Sequence, residues 1–219
     1  MIWVMQELQI ESVLDPFAGD GGMLRQALAL LTRAQMMSLL PAEAEHTRTL
    51  DYDLLVAFTR KLAHAGVATG TAVSVEHIVP RNWKNVLERD ELKENLVILL
   101  DALNQSPYPA GEWGPARELL EDELLAALVG TSTSSVRRYA SNERKTPDAV
   151  AWRLHAIARI LSALRGAYNA YGIRRWFTRP RSALDGRTPA QVIIDGESES
   201  DLGPVIALAE SLHDSGSAI

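Results

Sequence analysis

The sequence predicts a mainly α fold: an N-terminal helical region with one short β segment, then a helix-turn-helix domain and a C-terminal helical domain. Three observations carry this. Apolar residues recur at helical spacing over most of the 219 residues. One stretch, Val67 to Ile78, alternates Thr and Val between glycines and reads as strand or extended chain. Finally, Gly130 separates two short amphipathic runs, as a tight turn between crossing helices would. With 47% hydrophobic residues the chain can bury a full core, as one large or two small domains.

Taken in order, Gly22 to Leu40 spaces Leu24, Leu28, Leu31, Met36, Leu39 and Leu40 along a helix, and Asp51 to His64 does so with Leu54, Leu55, Phe58 and Leu62. After the extended stretch, helical periodicity returns at Leu92 to Leu103, Ala116 to Val129, Ser132 to Ala140, Asp148 to Tyr171, Pro189 to Ile194 and Val205 to Leu212. On the long segment Leu161, Leu164, Tyr168 and Tyr171 fall on one stripe, and with Trp176 and Phe177 they are expected to pack its end against the Pro189 helix. Ser106 to Pro115, S-P-Y-P-A-G-E-W-G-P, interrupts the pattern and is the natural boundary, so the regions run 1–115, 116–172 and 173–219. The tail from Asp214 to Ile219 is expected to fray, and no internal repeat is present.

The absence of cysteine removes a disulfide frame, a zinc knuckle and a thiol nucleophile, and suits a cytoplasmic protein. There is no run of eighteen apolar residues and no basic start to the N-terminus, so no membrane span or signal peptide is expected. A net charge of -6 argues against nucleic-acid binding only on average. Residues 131–189 hold twelve cations against three acids, a local +9, which leaves the remainder of the chain at -15. Eleven of those cations are Arg, the side chain suited to bidentate recognition of phosphate or carboxylate.

The basic segment opens with T-S-T-S-S-V-R-R-Y-A-S-N-E-R-K-T-P, Thr131 to Pro147. The run before it is acidic at Glu121, Asp122 and Glu123, apolar at Leu124, Leu125 and Leu128, and ends at Gly130, with small Ala127 expected at the crossing. Thr131 or Ser132 can cap the next helix, and Val136 and Tyr139 supply its buried face. Thr133, Ser134, Arg137 and Arg138 fall opposite, where a reading helix presents hydroxyls and guanidinium groups to base edges, while Asn142, Arg144 and Lys145 suit flanking phosphates.

Beyond this point V-R-R-Y-A-S-N-E-R-K-T-P, the long helix, G-I-R-R-W-F-T-R-P and A-L-D-G-R-T-P-A-Q-V-I follow one another. Over Glu118 to Leu212 the chain resembles the Xre/MbcA/ParS antitoxins, the partners of RES-domain toxins. The resemblance implies an all-helical, dimeric protein that binds double-stranded operator DNA and sequesters an NAD-degrading toxin through a C-terminal toxin-binding-like domain. Arg179, Arg181, Gly186, Arg187 and Thr188 are its partner-binding candidates; the Val205 helix is too short to stand alone and needs a neighbour in the same chain, the dimer mate or the toxin, and the resemblance points to a toxin contact at the polar loop Asp195 to Asp201 and this helix. Such antitoxins often lack a counterpart of residues 1–117.

Two N-terminal patterns point elsewhere. Asp15 to Gly22, D-P-F-A-G-D-G-G, looks like the glycine-rich loop of adenosylmethionine-dependent methyltransferases, but such a loop belongs in a repeating strand-helix sheet and helix upon helix follows, so it is read as a capped loop before a helix. Glu76 to Pro80, with Asn95 and Asn104, resembles the HNH nuclease pattern, in which a strand-borne His77 would activate water beside a metal. The zinc-knuckle cysteines are missing, so His77 is read as structural. No catalytic residue, metal or cofactor is expected. The alternatives are a stand-alone transcription regulator and a metal-dependent HNH-type nuclease.

Overall fold

Asp20 and Asp51 each start a helix in the first of two compact units, Met1–Gln35 with Leu39–Ser106; the second comprises Met36–Ser38 and Pro107–Ile219. The computed structural model describes residues 10–45, 48–77, 86–165 and 167–216, and is 74% helix. In the first unit β1 (Ser12–Val13) pairs in parallel with β2 (Thr49–Leu50), and α1 (Gly21–Met36) makes the crossover that parallel pairing requires. The Asp20 carboxylate accepts from the backbone N–H groups of Gly22 and Met23 at 3.0 and 2.9 Å, satisfying amides left open at the start of α1, and receives Lys93 Nζ at 3.2 Å. Those contacts, the Met23 amide first, hold its carboxyl below the usual range. Asp51 does the same for α2 (Tyr52–His64), accepting from the Leu54 amide at 2.9 Å.

Residues 67–77 are not a strand. α3 (Thr69–His77) is helical and packs on α2, with α4 (Val86–Gln105) against it in turn. Ala72 and Val75, three residues apart on one helical face, are buried, and the Tyr52 hydroxyl donates to the Val75 carbonyl at 2.5 Å. Burial of that face outweighs the Thr/Val preference for extended chain. The β segment of the fold is the β1–β2 pair. Ile78 to Pro80 and the side chain of His77 lie outside the described residues.

The proline- and glycine-rich stretch interrupts the helices only over residues 106–108, where the first unit ends and the second resumes, and from Pro109 it already forms α5 (Pro109–Val129). Pro109 occupies the first turn, where no backbone donor is needed. The lack of a side chain at Gly111 lets α5 lie against the Met37 carbonyl, and Ser38 Oγ donates to the Gly111 carbonyl at 2.8 Å. α5 kinks at Glu121 (φ 64°, ψ 163°), and Arg174 bridges the kink by donating to the Leu119 carbonyl at 3.1 Å and pairing with Glu121 at 3.2 Å. α6 (Thr133–Ala140) follows, then α7 (Asp148–Arg165), which packs between α5 and α10 (Glu199–Gly216) and buries Leu154, Ile157, Ile160, Leu161 and Leu164.

The long helix stops at Arg165 rather than Tyr171. Asn169 caps a separate α8 (Ala170–Thr178), its side chain accepting from the Gly172 amide at 2.9 Å. Tyr168 and Tyr171 are therefore 37% and 63% exposed instead of continuing a buried stripe. Trp176 and Phe177 are buried, as expected, with their rings edge to face at 5.2 Å. The Thr188 capping box then starts α9 (Pro189–Asp195). α10 begins six residues before the anticipated Val205, because Asp201 accepts from the Ser198 hydroxyl and from the Ser198 and Glu197 amides. It is no free tail: Leu202, Val205, Ile206 and Ala209 are buried, and the helix packs on α7 and α9. Side chains from His213 onward and residues 217–219 lie outside the described residues.

Within this core His155 Nδ1 meets Glu112 Oε1 at 2.5 Å, with side chains 4% and 0% exposed. The second Glu112 oxygen is buried with no hydrogen-bond partner. Removing the imidazole, by His155→Leu, should cost about 3–5 kcal/mol by urea unfolding, because it leaves the Glu112 carboxylate buried without its partner. The double variant Glu112→Met/His155→Leu should cost clearly less than Glu112→Met and His155→Leu measured singly and added, giving a large coupling in a double-mutant cycle; additive effects would refute the pairing.

Gly111→Ala places a methyl group on the Met37 carbonyl oxygen and the Tyr108 ring. It should lower stability by about 1–3 kcal/mol. Gly114→Ala, where nothing lies within 4 Å, should be neutral or stabilise by about 0.5–1 kcal/mol. Equal thermal midpoints for the two variants would contradict this packing.

Candidate nucleic-acid interface

The turn between the end of α5 and α6 is built entirely by local chemistry. Gly130 takes the left-handed conformation (φ 71°, ψ 40°), its amide donates to the Ala127 carbonyl at 3.3 Å, and the Thr131 amide donates to the Ala126 carbonyl at 3.0 Å. That pair closes the helix and turns the chain. The small residue buried at the crossing is Ala126, while Ala127 is exposed, one position away from the sequence expectation. Ser132, not Thr131, caps α6: its hydroxyl accepts from the Ser135 amide at 3.2 Å and lies 3.0 Å from the hydroxyls of Ser134 and Ser135.

α6 buries Ser135, Val136 and Tyr139 against α5 and turns Ser134, Arg137 and Arg138 to solvent, with Thr133 half-buried beside them. These four residues stand at positions related by one and four, so they form a single outward face. At eight residues the helix is about 12 Å long, comparable with the width of a B-DNA major groove.

Tyr139 stacks on Trp113, ring centroids 5.7 Å apart and 26° between planes, and Arg144 lies over the Tyr139 ring at 5.7 Å. Trp113 Nε1 donates to Thr146 Oγ1 at 2.9 Å, which pins the far end of the loop leading to α7. Within that loop Asn142 adopts φ 59°, a conformation Asn tolerates, and Asn142, Arg144 and Lys145 are all exposed.

Arg137 is 64% exposed, and its Nε donates to Asp122 Oδ2 at 2.7 Å. Asp122, only 14% exposed, also receives Arg117 at 2.7 Å. The Arg117 hydrogen bond above all, and then that of Arg137, hold the Asp122 carboxyl below its ordinary range against the opposing effect of burial. The carboxylate in turn keeps the Arg137 guanidinium firmly protonated. Arg137 is thus hydrogen-bonded by one edge alone, with the charge of Glu123 nearby, and Arg138 has no side-chain partner among the described residues. The sequence gives no sign of the roles of Asp122, Arg117, Trp113 and Thr146; an acid at the start of a helix reads equally well as favourable dipole chemistry.

Much of the remaining cationic charge is used inside the unit. Arg153 donates to the Ile193 carbonyl at 3.0 Å and to the Gly196 carbonyl, closing the end of α9. Arg159 pairs with Glu210 at 3.1 Å, and Arg175 donates to the Tyr171 hydroxyl at 3.2 Å. The partner-binding candidates chiefly shape the turn before α9. Arg181 and Arg187 share a backbone hydrogen bond at 3.0 Å, Gly186 sits at φ 77°, and Thr188 caps α9. Arg181 lies over Trp176 at 5.4 Å, and Arg187 pairs with Asp195 at 2.6 Å. Arg179 follows α8 and is exposed.

Neither N-terminal pattern assembles a site among the described residues. The glycine-rich loop is a capped helix start beside a sheet of two short strands. The strand that should carry His77 is helix, and Asn95 and Asn104, both on α4, stand nine residues or about half a turn out of phase, so they do not converge. No group of three or more potential metal-ligating side chains occurs among the described residues, and none of the described helices is long and apolar enough to cross a membrane. No family model, curated protein or solved structure matches this chain.

Proposed function

We propose that this chain is an operator-binding, antitoxin-like protein of the cytoplasm that acts as a dimer, reads duplex DNA through α6 and sequesters a RES-domain partner. The observation that carries the DNA half is the outward face of α6. There Thr133, Ser134, Arg137 and Arg138 share one surface above a buried Val136 and Tyr139, and Asp122 braces Arg137. An arginine fixed at one edge loses less freedom on meeting a guanine, so the bracing favours base reading over diffuse attraction. Asn142, Arg144 and Lys145 are positioned in sequence to reach flanking phosphates. A dimer would set two such helices one helical turn of DNA apart.

The stand-alone transcription regulator is the second reading, favoured by one observation: among the described residues the apolar face of α10, Leu202 to Ala209, is buried along α7 and α9 and is not free to enter a toxin. Truncation after Gly196, which would remove α10, therefore tests core integrity and not toxin binding. A gene for a RES-domain protein beside this one, and co-purification of the two products, discriminates the readings.

Replacing Arg137 or Arg138 by Ala should cost about 1–3 kcal/mol of operator binding for each base that the side chain reads. Pure phosphate contacts would instead weaken binding on all sequences and lower the salt slope by about one unit per Arg. Asp122→Ala should weaken operator binding while leaving non-specific binding and its salt slope nearly unchanged, since it removes positioning and no cation. Unaltered operator binding in the Arg137→Ala/Arg138→Ala double variant removes α6 as the reading helix.

Against the nuclease alternative, the wild-type chain should not nick supercoiled plasmid in magnesium or manganese. Cleavage that depends on either metal and disappears in His77→Ala, with folding unchanged by circular dichroism, would make the chain an enzyme.

A further inference from the structure

An open groove of about 650 Å3 lies among the Ser182–Leu184 turn, α9 and the start of α10. Ala183, Leu184, Val192 and Pro204 give it apolar walls, while Asp185, Asp195, Glu197 and Asp201 line it with carboxylates against the single cation Arg187. Arg187 is already neutralised by Asp195. The side chains of Asp185 and Glu197 have no hydrogen-bond or ion-pair partner among the described residues. Asp201 is met only by the Ser198 hydroxyl and two backbone amides, which hold its carboxyl below the ordinary range, so it stays charged near neutrality. The surplus is regional: residues 190–219 contain six acids and neither Lys nor Arg, directly after a segment of +9.

This combination selects an occupant. Nucleic acid and other anions are repelled, and a purely apolar ligand would strip water from three uncompensated carboxylates, which is costly. A segment that brings its own cations restores the balance and uses the apolar walls as well. We propose that the groove docks an extended peptide segment of a partner protein in which Lys or Arg alternates with apolar residues, the cations meeting Asp185 and Glu197 and the apolar side chains meeting Leu184, Val192 and Pro204. The inference deepens the partner half of the proposed function and rests on that reading for the existence of a protein partner, but not on its being a toxin.

The test uses the full chain and a fluorescein-labelled eight-residue peptide alternating Lys with Val, beside the same peptide with Glu for Lys, read by fluorescence anisotropy. Asp185→Asn/Glu197→Gln removes the two unpartnered charges; Asp185 sits at φ 54°, a conformation that Asn also adopts readily. Ala183→Arg, on an exposed wall residue, places a competing cation in the groove and is an independent second variant. The Lys peptide should bind, more weakly as salt rises, while the Glu peptide should not. Each variant should weaken binding by about tenfold or more, with operator binding unchanged. Failure of the Lys peptide to bind, or equal binding to wild type and both variants, as attraction to the overall negative chain would give, overturns the proposal. Operator binding measured on the same samples stays informative either way, so failure of the groove and failure of the DNA reading are separable.

Discussion

Trp113 is the side chain on which the arrangement of the second unit depends. Its ring, 1% exposed, stacks on Tyr139 and so sets where α6 lies, and its indole N–H donates to Thr146 and so fixes where the following loop ends and α7 begins. A buried indole needs a partner for its single donor, and Thr146 supplies it from the far side of the helix-turn-helix. The outward face of α6 is consequently set by a residue on the preceding helix, twenty residues before Thr133 in the chain. Removal of that indole would free the C-terminal end of α6 and the loop after it together, which no change at Arg137 or Arg138 could do.

One turn of α5 supplies most of these constraints. Gly111 admits the Met37 carbonyl, Glu112 reaches His155 on α7, and Trp113 reaches Tyr139 on α6. These are successive residues pointing in different directions from one helix, so their contacts cannot slip independently. The buried Glu112–His155 pair adds little net stability by itself, because desolvation offsets its attraction. It ties α5 to α7 at one point, Glu112 to His155, and leaves the second Glu112 oxygen unpartnered.

The helical elements are legible in the sequence because their signals are local. The αL position at Gly130, the Ser132 cap, the Thr188 capping box and the Val136/Tyr139 face all act within a few residues, and the structure carries each of them. The features that the sequence hides depend on neighbours distant along the chain. The Thr/Val alternation of 69–77 reads as strand until the face of α2 is supplied, and the Pro/Gly-rich 106–115 reads as a break throughout, although only 106–108 is non-helical, until the Met37 backbone is placed beside Gly111. Periodicity carries the long helix on to Tyr171 because the stripe Leu161, Leu164, Tyr168 fits a helix as well as it fits a helix end followed by a cap at Asn169. At the candidate site the exposed face of α6 can be read directly. Its brace cannot, since Asp122 and Arg137 are fifteen residues apart and on different helices.

The distribution of arginine shows why a segment charge of +9 is a poor measure of a binding surface. Arg153 closes a helix end, Arg174 bridges the Glu121 kink, and Arg159 and Arg187 are matched by acids, so these cations answer internal needs. What remains for an external anion is Arg179 after α8 and a cluster on α6 and the loop after it, where Arg138 and Lys145 have no side-chain partner among the described residues and Arg137 is hydrogen-bonded by one edge alone. Asp185, Asp195, Glu197 and Asp201 are gathered in the same unit, around a groove that phosphate would avoid. A duplex approaching this unit therefore meets attraction at one surface and repulsion at another, and that difference can orient the encounter before any base is touched. In the proposed reading, the acidic surface contributes to DNA recognition by keeping itself away from the duplex, and it remains open to a cationic partner while α6 is engaged.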